Sequence, residues 1–438
     1  MTTQIEVWLL DTRRLYWEEP FSSEFEARMV GAVDLEGCIG VILDATLFHP
    51  EGGGQPSDRG NLSLLSGDAV AAFGQSDLEV VDVRVVDGGI IHLLSTSMSA
   101  AGFPNGIPAV PAGGWKLKGK IDWDFRFDLM QQHTGQHILS RAFEEILDAH
   151  TVGFHLGKDY VSIDLDIQSL SAADKERVEE RANRIVFAGL PVTAKDYAKG
   201  ELPAEIRTRL PIDAERVRVI SVGDFDACAC AGTHVTNSGQ VGLIKVNLVD
   251  RAHGGVRVIF RCGKRALADY AEKENVLAEV GGLLSVGAAA VPATVSAMVQ
   301  RGREMEKELE EAKKTILDYE IEGRIRVARD SGEHVLVEVF DSLAPDHLKV
   351  AARKLSESSG KLTVCFSREP RFSAVIASPE GGADARVILS RIAARWGGRG
   401  GGTPGLAQLG SKEPLTVPDA DAIAGIKEAC MEVLAGAQ

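Results

Sequence analysis

The sequence predicts an α+β protein of two or three domains, and three observations lead there. Strand-like and helix-like segments lack the regular alternation of a nucleotide-binding α/β fold. The clearest period-two pattern runs straight into the clearest helical pattern. The segment 292–327 carries a heptad-like seam. At 438 residues the chain exceeds one ordinary domain.

The first hundred residues read as β-rich, because GCIGVILDATLF and LEVVDVRVVDGGIIHLLS are short, Val/Ile-heavy and broken by Gly and Asp. The Gly/Pro stretch 100–114 reads as a linker. From Trp115 to Phe127, Trp115, Leu117, Ile121, Trp123, Phe125 and Phe127 alternate with charged residues, the pattern of a long half-buried strand. From Asp128 to Ala149 the apolar residues Leu129, Ile138, Leu139, Ala142, Phe143, Ile146 and Leu147 share one helical face. A strand over 161–165, a polar helix over 172–188, and strands at 217–222, 242–250 and VRVIFRCG come next.

In 292–327, Val295, Met298, Met305, Leu309, Ala312, Ile316 and Tyr319 fall at a and d positions, with Gly302 and Gly323 weakening the seam. With a preceding helix over 266–287, the segment reads as a helical arm joining two domains. The alternative is a homodimer through the arm or the C-terminal domain. Beyond it, HVLVEVFDS, KLTVCFS and FSAVIAS alternate with helices near 346–357 and 383–396, then WGGRGGGTPGLAQLG and a last helix over 419–435. That is a small α/β domain.

Hydrophobic residues at 45% and charged residues at 25% are ordinary for a globular protein. The net charge of −15 argues against non-specific coating of nucleic acid but leaves open an RNA binder with a local basic face. The N-terminus has no signal-peptide pattern, and no run of about 18 apolar residues occurs, so a cytoplasmic protein with no membrane partner is expected. The six cysteines are too dispersed for a disulfide scaffold.

Chemistry concentrates in two short motifs. QQHTGQH sets His133 and His137 four residues apart, about 40° around a helix, so both imidazoles can meet one metal. DACACAGTHV repeats the spacing with Cys230 and His234, and Gly232 reads as a tight turn between them. Two histidines, a cysteine and a third histidine form a donor set that zinc favours. Cys228 is either a buried small hydrophobe or a substitute ligand. Four protein ligands are the count of a structural zinc, whereas a catalytic one keeps an open position. With Zn2+ bound, either one of the four gives way to water or the metal positions the substrate without generating the nucleophile. The alternative is a structural zinc that ties the helix to the second motif.

These motifs resemble the paired H-x3-H and C-x3-H motifs of alanyl-tRNA synthetase editing domains and of the free-standing AlaX-type alanyl-tRNA editing proteins. TLFHPEGGGQPSDRG (46–60) is similar to the glycine-rich motif of the family's N-terminal β-barrel, and DLMQQHTGQHILS to its zinc helix. GGVRVIFRCGKRAL (254–267) is similar to the end of the editing domain, and GGRGGGTPGLAQLG to the signature of the DHH-associated C-terminal domain. His49 stands where Tyr is more usual, and CAG replaces CGG before THV.

The resemblance covers nearly the whole chain and implies the long form. Its layout would be a β-barrel over 1–110, a zinc-containing editing domain over 111–265, a helical arm over 266–330 and a DHH-associated domain over 331–438. It implies zinc-assisted hydrolysis of mischarged tRNA(Ala), carrying serine or glycine, in trans, and brings nucleotide and ATP binding into the expectation. His133, His137 and Thr46 would be catalytic, with His133, His137, Cys230 and His234 on the metal. Thr46, Gly52, Gly53, Gly54 and Gln55 would bind substrate, the Thr46 hydroxyl by pairing with that of serine. Asp58 reads as a turn residue. Arg395, Arg399, Gly400, Gly401 and Gly402 are candidates for gripping tRNA backbone, with a plain flexible loop as the alternative. Lys116, Lys118 and Lys120 read as a solvated strand face. A zinc peptidase is disfavoured because the helix lacks the Glu of H-E-x-x-H. An RNA-binding protein with a structural zinc stays as the alternative, and so does editing of a threonine-type mischarged tRNA, against which the C-terminal glycine signature argues.

Overall fold

The computed structural model describes residues 12–435 apart from 36, 96–106, 159, 203–205, 207–215 and 253. The fold is α+β, and the chain divides into two compact units, residues 1–279 and 280–438. The first part of the expected linker 100–114, residues 100–106, lies outside the described residues.

Six antiparallel strands of the first unit close into a barrel. Their order around it is Glu24–Leu35, Cys38–Leu43, Gly89–Leu94, Asp77–Val86, Gly60–Leu64 and Trp115–Ile121. Closure removes the free edges that a short open sheet would expose. The last strand alternates buried and exposed residue by residue, and pairs with Glu24–Leu35 on one side and Gly60–Leu64 on the other. The barrel therefore takes in residues 115–121, beyond the span 1–110 expected for it. Phe25, Met29, Val41, Leu62, Leu78, Val80 and Leu117 fill its core. Lys118 and Lys120 lie on its wet face and pair with Glu24, as a solvated strand face does.

The long strand expected over 115–127 stops at Ile121. Asp122 caps a helix over Trp123–Leu147, its carboxylate accepting the Phe125 N–H at 3.2 Å. Trp123, Phe125 and Phe127 thus belong to the first turns of a helix. A cap outweighs a pattern of alternation that a few residues can match by accident. This helix buries an unusual share of polar side chains, among them Gln131, Gln132, His133, Thr134, His137 and Ser140. Gln132 accounts for itself: its amide receives the Cys262 N–H at 2.8 Å and donates to the Cys262 carbonyl at 3.0 Å.

Around the helix lie a four-stranded antiparallel sheet (Ile244–Ala252, Gly255–Cys262, Val161–Leu165, Thr151–Leu156), the helix Ala172–Ala188, and a three-stranded sheet (Val192–Ala198, Arg216–Val222, Asp226–Ala229). Leu139, Phe143, Val161, Ile163, Val178, Val258 and Phe260 join these elements in one core.

In the second unit, Val291–Asp330 is one helix of 40 residues. Its heptad residues do not pack within the chain: Val295, Met298, Met305, Leu309, Ile316 and Tyr319 are 42% to 72% exposed. Val291, Leu317, Ile321 and Ala328 are its buried residues, the last three in one core with Leu348, Ala351 and Leu355. The seam that packs is thus set by the neighbouring layer. That layer is a mixed five-stranded sheet ordered Val335–Phe340, Leu362–Ser367, Ser373–Ala377, Leu406–Gly410, Arg399–Thr403, with only the first pair parallel. The helix Pro345–Ser359 packs in one core with this sheet, and Ala385–Trp396 and Asp419–Ala435 in another. Among the described residues no single helix is long and apolar enough to cross a membrane.

Candidate metal centre

His133 and His137 project from the helix Trp123–Leu147. Cys230 and His234 come from the segment just after the strand Asp226–Ala229. One potential ligand atom from each of the four lies within 4.8 Å of every other. The Cys230 Sγ is 3.3 Å from His133 Nε2 and 3.2 Å from His234 Nε2. Cys228 lies outside this group.

The other ring nitrogen of each histidine has a partner. His133 Nδ1 donates to Gln55 Oε1 at 2.8 Å, an oxygen that also accepts the Thr233 N–H at 3.0 Å. The Gln55 amide donates to Thr233 Oγ1 at 2.8 Å, which fixes its orientation. His137 Nδ1 is 3.4 Å from Asp226 Oδ2. His234 Nδ1 is 3.2 Å from Thr134 Oγ1, which also accepts the Val235 N–H. Tying Nδ1 leaves Nε2 as the lone-pair donor, and such outer partners orient metal-binding histidines.

Electrostatics suit a cation. Burial opposes ionisation of Cys230, yet the adjoining His133 and His234 outweigh it and hold the thiol well below its ordinary range. Burial likewise works against charge on His137, but Asp226 and the Cys230 thiolate raise it well above the usual imidazole range. Burial holds His234 well below it. A thiolate packed among three imidazoles is a donor set that a divalent soft-to-borderline metal completes.

Two glycines of the motifs are explained by close approach. A Cβ on Gly232 would lie 2.3 Å from His133 Cε1 and 2.7 Å from Gln55 Oε1, so this residue lets the Cys230 segment reach the helix. The chain also bends at this residue. A Cβ on Gly135 would lie 2.3 Å from Cys262 Sγ.

The glycine-rich motif meets the site through one side chain. Gly52 and Gln55 exchange backbone hydrogen bonds at 3.1 Å and 3.0 Å, with Gly53 and Gly54 at φ +58° and +82° between them. That is a tight turn needing positive φ twice. The Gly52 N–H is engaged in it, and Gly52, Gly53 and Gly54 are exposed. Gln55 is buried against His133 and Thr233 and holds the His133 ring by its Nδ1.

Asp58 is not a surface turn residue. It is 1% exposed and ion-paired with Arg126, itself 0% exposed, which also donates to the Leu47 carbonyl at 2.6 Å. Asp58 further accepts the His49 N–H at 2.6 Å. The pair joins the glycine-rich motif to the ligand helix. Sequence reasoning missed Arg126 because it stood among the charged residues of a supposed strand. His49 Nε2 reaches the Ala231 carbonyl at 3.3 Å, and burial pushes this imidazole down to about 4.

Thr46 is fully buried in the barrel. Its Oγ1 accepts the Phe48 N–H at 3.0 Å and donates to His92 Nε2 at 2.8 Å, since His92 Nδ1 donates to the Val41 carbonyl at 3.1 Å. One lone pair remains on Thr46 Oγ1.

Arg395 pairs with Glu428 at 2.6 Å. Arg399 and Gly400–Gly402 form an exposed strand, Arg399–Thr403, paired with Leu406–Gly410, so the flexible-loop alternative does not hold.

Two family models match the chain. Residues 217–259 match the threonyl and alanyl tRNA synthetase second additional domain, and residues 332–432 the DHHA1 domain. The chain is 28% identical to the alanyl-tRNA editing protein AlaX-L of Pyrococcus horikoshii, over 90% of this chain and 93% of that protein. It is 30% identical to the alanine–tRNA ligase of Pyrococcus abyssi, over 91% of this chain and 42% of the ligase. With the ligase of Natronomonas pharaonis the identity is 32%, over 97% of this chain and 44% of the ligase. The chain thus spans less than half the length of the ligases it matches.

Proposed function

The chain belongs to the AlaX-type alanyl-tRNA editing family in its long form, and from that premise we propose that it hydrolyses the ester of wrongly charged tRNA(Ala), with serine or glycine as the wrong amino acid. The observation that carries this reading is the buried group His133, His137, Cys230 and His234, each histidine tied at Nδ1.

Zinc suits that donor set, and when bound it would polarise the ester carbonyl and lower the pKa of a nearby water. The chain's own residues orient and select. Gln55, Asp226 and Thr134 hold the imidazoles, and Gly232 lets the Cys230 segment approach. The remaining lone pair of Thr46 Oγ1 would accept the hydroxyl of a serine substrate that reaches this buried residue, an interaction alanine cannot make. Barrel, zinc-containing editing domain, helical arm and DHH-associated domain form the layout we propose, with mischarged tRNA(Ala) as partner.

A second reading keeps the zinc but not the hydrolysis, because four protein donors are the usual count of a structural site. Deacylation of Ser-tRNA(Ala), with Ala-tRNA(Ala) and Thr-tRNA as controls and with or without a zinc chelator, separates the two. Selective, chelator-sensitive release of serine is expected. Binding of tRNA with no release from any charged form would move the assignment to the second reading.

A further inference from the structure

Beside Cys230 the first unit opens a cavity of about 390 Å³, whose lining includes Arg14, Trp17, Asp196, Arg216 and Arg218. Among the described residues this lining holds three arginines and one aspartate, in a chain whose net charge is −15. Among the described residues none of the three arginines has a carboxylate within 4.0 Å, whereas Arg126, Arg257 and Arg265 of the same unit are each paired. Asp196 and the Cys230 thiolate offset part of this positive charge, and the remainder fits an anion that arrives from outside.

The cluster is held in place. Trp17 Nε1 donates to the Ala231 carbonyl at 2.9 Å, between the ligands Cys230 and His234. Arg14 stands 4.7 Å from the centroid of that indole, and Arg218 stands 5.6 Å from it. Arg218 also donates to the carbonyls of Cys230 and Gly232 at 3.1 Å and 2.8 Å. Its Nη1 is occupied by these bonds, leaving the other N–H groups of its fork for a ligand. The side chains of Arg14 and Arg216 make no hydrogen bond or ion pair among the described residues, so both forks are open. Arginine forks bind phosphate oxygens in pairs, and single-stranded RNA ends are gripped by such positive grooves.

We propose that Arg14, Arg216 and Arg218 form a clamp for a phosphodiester of a single-stranded RNA 3′ end, next to the metal centre. This deepens the editing reading and rests on it: the clamp would hold the backbone just behind the terminal ribose, while the ester lies at the Cys230 side. Trp17 acts as a prop for the guanidinium groups.

The test uses the full chain, zinc-loaded, and a fluorescently labelled RNA tetranucleotide with a free 3′ hydroxyl. Arg14→Gln and Arg216→Gln, singly and together, avoid the backbone bonds of Arg218, and zinc content of the variants should equal that of the parent. Each single variant is expected to weaken binding by about tenfold at low salt, and each lost contact to lower the slope of log Kd against log salt by roughly 0.7. A tetranucleotide with neutral methylphosphonate linkages should bind parent and double variant alike. Unchanged affinity and salt slope in the double variant would overturn the clamp. Because the probe carries no amino acid, the result does not depend on hydrolysis. A parent that binds through the arginines yet deacylates nothing would leave the clamp standing and sink the editing reading.

Discussion

The glycines at 52–54 turn the chain, and those at 400–402 let two strands close on each other. In the first segment positive φ at Gly53 and Gly54 reverses the backbone and delivers the Gln55 side chain to His133. In the second the strand Arg399–Thr403 is extended, and a Cβ on Gly400 or Gly402 would lie 1.9 Å or 2.3 Å from a carbonyl oxygen of the paired strand. Gly401 faces open space. One run works through the residue after it, the other through its own lack of side chains. A glycine run is informative through the group it brings near, and that neighbour is set by tertiary structure.

The strongest way to break the comparison is to remove the site that the first segment serves. Cys230→Ala should abolish both zinc content, read by atomic emission, and deacylation. Full zinc occupancy in this variant would show that the four residues are not one site. Next comes the delivered side chain: Gln55→Leu keeps the turn but loses the bond to His133, and should lower zinc affinity roughly 10–100-fold. A competition titration with a chelator reads this directly, and unaltered affinity would return Gln55 to a substrate role.

The same segment begins at Thr46, whose hydroxyl leans on His92. Burial pushes His92 down to about 4, so the fold favours its neutral form. That stability is fully present above the unfolded value near 6.5 and is lost as pH falls through the interval down to about 4. Urea unfolding at pH 7 and pH 5 should show a loss about 2 kcal/mol smaller in His92→Gln than in the parent. Equal losses would mean that His92 does not govern the acid limb.

The smallest effects sharpen the contrast within the second segment. Gly400→Ala must shift backbone and should cost about 1–3 kcal/mol in stability of residues 280–438, with zinc affinity unchanged. Gly401→Ala should stay within about 0.5 kcal/mol. A thermal melt of each variant decides, and equal melting points would show that the strand pairing tolerates a side chain at 400.

Much was determined by the sequence alone. The α+β class, the helices 172–188 and 419–435, and the four metal-site candidates all come from local signals. Periodicity, caps and x3 spacing act within a few residues, and a short motif carries its own geometry. The tertiary structure decided the rest. It gave the strand Trp115–Ile121 its neighbours Glu24–Leu35 and Gly60–Leu64, whereas the stop at Ile121 is itself local, through the Asp122 cap on the Phe125 N–H. It buried Asp58 with Arg126, whose partnership spans 68 positions and leaves no local trace. It turned Gln55 toward His133, across 78 positions, and left the heptad seam of the long helix exposed while Leu317 and Ile321 packed instead. Each of these depends on what a folded neighbour offers, and hydrogen bonding and burial are satisfied by partners that only the closed chain brings together.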